Sequence, residues 1–353
     1  MKSDVYLSPV NTNRPEDRLI ALKKLLTTAD PFKKFVKGEC VPVKITIGDS
    51  GCVHHVSPEL VGIVITEIKN CGAKPFLFDT SVIYKGERQN AVDHLSLAEK
   101  KGFGYSRIGA PFIIADGVFG NDGKEYDIGS QDISKIKVPS FVGMADSLVV
   151  ITHATGHIVS KYAGAIKNIA MGMACRPTKQ VQHSSLKPSV ITRSCTGCGQ
   201  CLKICPVQAI TMSDKKAVID QSICVGCGEC LCACKFNAIL LNWDEDPHVF
   251  SRRMVDVAKF VLSRFKNKFF ITSALDITKE CDCISSKDDI MVSTNIGFLG
   301  SYDILALEQA TIDMITKNKQ TDFFAKDRDI FIDMIDYADK HGLGSTVYKI
   351  VEA

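Results

Sequence analysis

Two cysteine runs of identical spacing constrain this chain more than any other feature. Cys195, Cys198, Cys201 and Cys205, followed by Pro206, read C-x2-C-x2-C-x3-C-P; Cys224, Cys227, Cys230 and Cys234 repeat the spacing 29 residues on. Three thiolates on one tight loop suit three iron corners of a cubane, so the fourth ligand comes from elsewhere. In two-cluster proteins with this spacing, the fourth cysteine of each run ligates the other cluster. The expected ligand sets are therefore Cys195, Cys198, Cys201 and Cys234 for one [4Fe–4S] cluster, and Cys224, Cys227, Cys230 and Cys205 for the second. Gly197, Gly199, Gly226 and Gly228 let the backbone wrap closely and offer N–H groups to sulfur. A pair of zinc sites is the alternative, but the duplicated three-plus-one spacing is more specific than two C-x2-C pairs. Lys235 stands where a proline would follow Cys234, and Cys232, between ligands, reads as a small buried neighbour.

That layout predicts a bacterial-type dicluster ferredoxin module of α+β character over residues 189–243. The chain has 353 residues and 15 cysteines. The start, MKSDVYLSPV, lacks the apolar core of a signal peptide, which predicts a cytoplasmic location. Disulfides are rare in such a reducing compartment, so the thiols are expected to bind metal or do chemistry, in an oxygen-sensitive protein. A net charge of +3 without a basic stripe excludes a nucleic-acid footprint. No apolar run reaches the ~18 residues of a membrane span.

On either side of the module, strand and helix patterns alternate. VPVKITIG, KPFLFDT, PFIIADG and DSLVVITH read as strands. Leu60, Val61, Val64 and Ile68 share one helical face, RQNAVDHLSLAEKKG gives a second helix, and another is expected from about Ser160 to Cys175. Beyond the module, Met254, Val257, Ala258, Val261, Leu262 and Phe265 mark an amphipathic helix. KFFITSALDI and IMVSTNIGFLG then read as strands, with helices over about 302–318 and 327–341. The pattern predicts an α/β fold with a mainly parallel sheet and helices on both faces. It is discontinuous: residues 1–188 and 244–353 form one domain, and the module is inserted between them.

A second set of chemical residues falls at predicted strand ends, where open α/β sheets place their ligands. Cys281-Asp282-Cys283 is one; in an extended segment the two thiols point the same way and suit a soft metal or redox exchange. Asp49 (with Ser50 to His55), Asp79-Thr80 and His153 to His157 belong to the same edge. The candidates for catalysis are Cys281, Cys283, His157 and Lys167; Gly156, Asn168 and Asp49 are candidates for holding a cofactor. Lys167, near a helix start, suits a carboxylate or phosphate. Gly164 and Gly172 also read simply as residues that permit close helix packing. Neither a Walker loop, a G-x-G-x-x-G run nor a nucleophile elbow occurs.

THATGHIVSKYAGAIKNIAMGMACR, the inserted module and DITKECDCISSKDDIMVSTNIGFLGSYDILALEQATIDMI together resemble the domain-of-unknown-function family 362. GDSGCVHHVSPELV and FDTSVIYKGERQNAVDHL resemble its N-terminal segments. The family pattern carries Gly156, His157, Gly164, Lys167, Asn168, Gly172, Cys281, Asp282, Cys283 and Asp303, whereas Cys52, His54 and His55 are less distinctive. The resemblance implies iron–sulfur centres and leaves the reaction open. The expected function is a redox protein whose two [4Fe–4S] clusters pass low-potential electrons to a second site in the α/β domain. The expected partners are a redox protein and a small anionic substrate or cofactor. The alternative is a non-catalytic electron carrier or a metallocofactor assembly or delivery protein. Whether a further metal or organic cofactor joins the second site is left open by the residues.

Overall fold

The computed structural model describes residues 2–84, 86–183, 187–224, 226–240, 246–284, 286–317, 324 and 328–353. In chain order the strands of its central sheet are β1 (Ser3–Pro9), β2 (Cys40–Lys44), β3 (Lys74–Asp79) and β4 (Phe112–Ile114). A hairpin follows, β5 (Gly123–Asp127) and β6 (Lys135–Pro139), then the central β7 (Ser147–His153) and a small pair, β8 (Thr155–His157) and β9 (Lys161–Ala163). The helices of this half are α1 (Pro15–Ala29), α2 (Pro58–Asn70), α3 (Ala91–Lys100), α4 (Tyr105–Ile108), α5 (Ala165–Gly172) and α6 (Arg176–His183).

Residues 189–240 then form a separate module: β10 (Ser189–Val190), α7 (Gln200–Ile204), β11 (Ile210–Ser213), β12 (Lys216–Ile219), α8 (Glu229–Ala233) and β13 (Ile239–Leu240). β10 pairs with β13 and β11 with β12, both antiparallel. The chain returns to the sheet through α9 (Pro247–Leu262), β14 (Asn267–Ala274), β15 (Gly297–Ser301), α10 (Ile304–Lys317), a helix at Arg328–Lys340 and β16 (Tyr348–Glu352). The expected module boundary at 243 and the helix ends at 318 and 327 lie outside the described residues.

The sheet runs β16-β1-β15-β14-β7-β2-β3-β4. It is parallel from β14 to β4. β15 is the exception, antiparallel to both β1 and β14. Strands before and after the module share this sheet, so one core takes both halves of the chain. Alternation decides the faces. Along β7, Leu148 and Val150 pack with α5, α9 and α10, whereas Val149 and Ile151 pack with α1 and α2. Both faces are covered, as the near-continuous apolar strands require.

Several segments differ from the sequence expectation. IMVSTNIGFLG keeps only Gly297–Ser301 as strand, because Met291 makes an isolated bridge to Thr278. The helix expected from Ser160 begins at Ala165, after β9, and a second helix, α6, follows it. The terminal strands β1 and β16 pair in parallel at the far edge; their half-buried pattern is a weak strand signal.

Candidate functional site

At the C-terminal ends of β2, β3 and β7 lies a cavity of about 290 Å3. Its walls include Cys281, Cys283, His157, Lys167 and Asn168, together with Asp79, Tyr84, Arg88, Lys179 and His183. Three buried or half-buried cations, Lys167, Arg88 and Lys179, and a thiol pair therefore meet in one recess.

Cys281 is buried and Cys283 is half-buried. The segment is not extended as expected. The Ile284 N–H donates to the Cys281 carbonyl at 3.0 Å, closing a turn that brings the two thiols together. Within it Cys281 hydrogen-bonds Cys283, the Tyr84 hydroxyl does the same, and Lys167 Nζ stands 3.6 Å from Cys283 Sγ. The bond from Cys281, then Lys167 and Arg88, outweigh burial and hold the Cys283 pKa well below that of an ordinary thiol. The same bond and burial push Cys281 well above it. Burial opposes the charge on Lys167, but Cys281 and Cys283 more than offset it, so this lysine stays an ammonium.

Asp282, between the thiols, is the anchor of the turn. Its Oδ1 accepts from His153 Nδ1 at 2.8 Å, while His153 Nε2 donates to the Leu275 carbonyl at 2.8 Å. Both ring nitrogens face acceptors, the pattern of an imidazolium. Burial lowers the His153 pKa, and Asp282 reverses that to a net rise. His157 behaves in the opposite way. Its Nδ1 accepts the N–H groups of Val159 and Ser160 at 3.2 and 3.0 Å, and its ring stacks on Phe250. Burial, then Lys167, keep this ring neutral, with its proton on Nε2.

Behind the cavity Asp79 organises the cations. Lys44 Nζ lies 3.0 Å from its Oδ1, with Arg88 and His94 at 3.9 and 3.7 Å from Oδ2. Lys44 also donates to Asn168 Oδ1 at 2.8 Å. Gly172 makes room for it: a Cβ there would stand 2.1 Å from Lys44 Cε. Arg88 Nη2 donates to the Tyr84 hydroxyl at 2.6 Å. Lys179 donates to Thr80 Oγ1 at 2.7 Å, and burial lowers its pKa to about 8.

The module holds two further, small cavities. One is lined by Cys195, Cys198, Cys201 and Cys234, the other by Cys205, Cys224, Cys227 and Cys230; neither lining includes Cys232. Backbone N–H groups reach four of these sulfurs: Ala217 to Cys195 at 3.4 Å, Ala209 to Cys205 at 3.3 Å, Gly226 to Cys224 at 3.4 Å and Ala238 to Cys234 at 3.3 Å. Among the described residues no three His, Cys, Asp or Glu side chains converge on a single-ion site. The module docks on α6 through Gly228, where a Cβ would come within 2.8 Å of Gln180. Lys137 Nζ also meets Glu229 at 3.6 Å. Ile83 and Tyr84 belong to both regions: they line the large cavity and pack against the apolar shell of the cysteines.

With this geometry in place, a family model described as Domain of unknown function (DUF362) matches residues 41–313. The chain belongs to the DUF362 family. The matched span holds every residue of the large cavity and both cysteine sets. Among solved structures, this DUF362 chain is similar to a protein from Thermotoga maritima, with 11% identity and a TM-score of 0.48 over 88% of this chain and 60% of that one. It is also similar to the lactate racemase apoprotein from Thermoanaerobacterium thermosaccharolyticum, with 12% identity and a TM-score of 0.38 over 78% and 51%. The chain thus spans less than two thirds of either structure's length. It matches none of the curated proteins compared with it.

Of the site residues expected in this DUF362 chain, Cys281, Cys283, His157, Lys167 and Asn168 meet in one cavity. Asp49 does not line it; its N–H instead supports the turn, donating to the Asp282 carbonyl at 2.9 Å. Gly156 is a backbone position, its N–H donating to the Thr278 carbonyl at 2.8 Å. Cys52 is buried 3.9 Å from Asp282 Oδ1, and His54 and His55 line a separate recess near Arg18. Tyr84, Arg88 and Lys179 were missed. Their only signal is position, Tyr84 and Arg88 in the loop after β3 and Lys179 inside a short polar helix.

Proposed function

We propose that this chain is an iron–sulfur redox protein: a two-cluster ferredoxin module serves a cationic site in the α/β domain, where an oxidoreductase reaction takes place on a small anionic substrate. The observation that carries the reading is the grouping of eight cysteines around two cavities. Each group takes three residues from one run and one from the other. The donor chemistry fits [4Fe–4S] clusters: four thiols per cavity, backbone N–H groups directed at sulfur, and apolar walls such as Val190, Ile210 and Ile219. Glu229 is the one carboxylate among these linings, and it pairs with Lys137.

Bound clusters of this type supply one-electron transfer at low potential. The chain's own residues supply the rest. Ile83 and Tyr84 bridge the cysteine shell and the large cavity, which keeps delivery intramolecular. Lys167, Lys179 and Arg88 offer positive charge to an anion in a recess where burial weakens screening. The neutral His157 offers an Nε2–H donor, and Cys283 offers a thiolate. A free electron carrier needs no such recess, which favours the oxidoreductase over the carrier.

Dithionite-reduced protein, purified without oxygen, is expected to give the EPR spectrum of reduced [4Fe–4S] centres, and Cys198→Ser and Cys227→Ser each to remove one contribution. An EPR-silent protein that holds zinc overturns the reading.

A further inference from the structure

We infer that Cys281 and Cys283 are a dithiol–disulfide centre, with Cys283 the attacking thiolate and Cys281 the resolving thiol, that reduces a small anionic disulfide. The geometry of the turn carries this. An extended i, i+2 pair lies ~6.6–6.8 Å apart, at the upper limit for a disulfide of 4.4–6.8 Å between Cα atoms. The turn closed by the Ile284 N–H shortens that separation and sets both cysteines on the wall of one cavity. The pair is also asymmetric, as attack and resolution require. Both line the cavity, but Cys283 is half-buried whereas Cys281 is buried. Lys167 favours charge on either thiol and stands 3.6 Å from Cys283 Sγ, whereas the Tyr84 hydroxyl and Arg88 act on Cys283.

The chemistry balances. The Cys283 thiolate attacks one sulfur of a substrate disulfide; the S–S bond breaks, one substrate thiolate leaves, and a mixed disulfide forms on Cys283. Cys281 then loses its proton to a leaving thiolate and attacks Cys283 Sγ. The mixed disulfide breaks, the second substrate thiolate leaves, and the Cys281–Cys283 bond forms. The substrate gains two electrons and the pair loses two. Two electrons and one proton restore a thiol at Cys281 and a thiolate at Cys283. Only the source of those electrons rests on the iron–sulfur reading, since two one-electron donors match one two-electron acceptor. Lys179 and Arg88, beside Lys167, give the cavity its preference for a negatively charged disulfide.

The test uses the full anaerobic protein and oxidised lipoate, a cyclic disulfide that bears a carboxylate. Tryptic peptide Glu280–Lys287 contains Cys281 and Cys283 and no other cysteine. After lipoate, alkylation and mass spectrometry should find this peptide unalkylated and lighter by two hydrogens; after dithionite or dithiothreitol, both cysteines should be alkylated. Cys281→Ser should hold a mixed disulfide on Cys283 after the linear 2-hydroxyethyl disulfide, whose released thiol diffuses away, and Cys283→Ser should leave Cys281 without an adduct. Lipoamide, the same cyclic disulfide without the negative charge, should react at least about tenfold more slowly than lipoate. The proposal is overturned if both cysteines remain alkylatable in excess lipoate, or if the adduct forms on Cys281. Equal rates for the two probes overturn the anionic preference. Reopening by dithiothreitol reports the dithiol even in protein that lacks iron, so its failure is distinct from failure of the cluster reading.

Discussion

In the module, eight thiols face one another inside a thin apolar shell of Ile210, Ile219, Leu231 and a few neighbours. In the α/β cavity, two thiols sit among fixed charges on top of two deep hydrophobic layers, one on each face of the sheet. The contrast is one of what holds each region in shape. The module's own core is small, so on the proposed reading its order depends on the clusters its sulfurs would bind. The cavity's order is preformed by burial and by charge pairs such as Lys44 with Asp79, so its electrostatics stand whether or not anything is bound.

The largest effect expected from that contrast is local collapse of the module. Cys198→Ser or Cys227→Ser should lose about four iron per chain and make the module sensitive to limited proteolysis, while the sheet domain stays protected. Equal protease resistance in variant and parent would mean that the module's core suffices without its thiols.

Next in size is a break on the other side. Lys44→Met leaves Asp79 with the Thr80 N–H and the more distant cations such as Arg88, and loss of one partner of a buried pair costs about 3–5 kcal/mol. The urea midpoint should fall accordingly, with iron content unchanged. A fall in iron as well would show that the regions are coupled more tightly than two separate supports allow.

A smaller effect separates the regions by pH. Glu308 is buried against the N–H of Ile166, and burial raises its pKa to about 7. A carboxyl raised in the folded state adds stability below its unfolded value, and that stability is lost as pH rises toward the folded value. Glu308→Gln keeps the bond to Ile166 and removes the titration. The variant should gain about 2–3 kcal/mol on the parent between pH 5 and pH 8, read from urea unfolding at both pH values. No change in the difference would mean that the carboxyl is solvated.

These regions also differ in how far the sequence discloses them. The cysteine spacing is a local, repeated pattern, so the grouping of four cysteines around each small cavity was legible before any coordinates. So were the apolar faces of α2 and α9, where Leu60, Val61, Val64, Ile68, Met254, Val257, Ala258 and Val261 are all buried. The cavity was legible only at its strand ends. Lys44 and Lys179 were not singled out, because burial of a lysine depends on a partner that lies far along the chain; Asp79 is that partner for Lys44. The turn at Cys281 to Ile284 was hidden because Asp282 takes its role from His153, a contact between residues 129 apart. The antiparallel β15 was hidden for the same reason: register and direction are set by neighbours, not by the strand's own residues.

The central claim is that the crossed cysteine sets hold two four-iron clusters. Metal and acid-labile sulfide analysis of the anaerobically purified full chain tests it most directly. The account predicts about eight iron and eight sulfide per chain, with each half lost on replacement of one cysteine in one set. Zinc without acid-labile sulfide would contradict it.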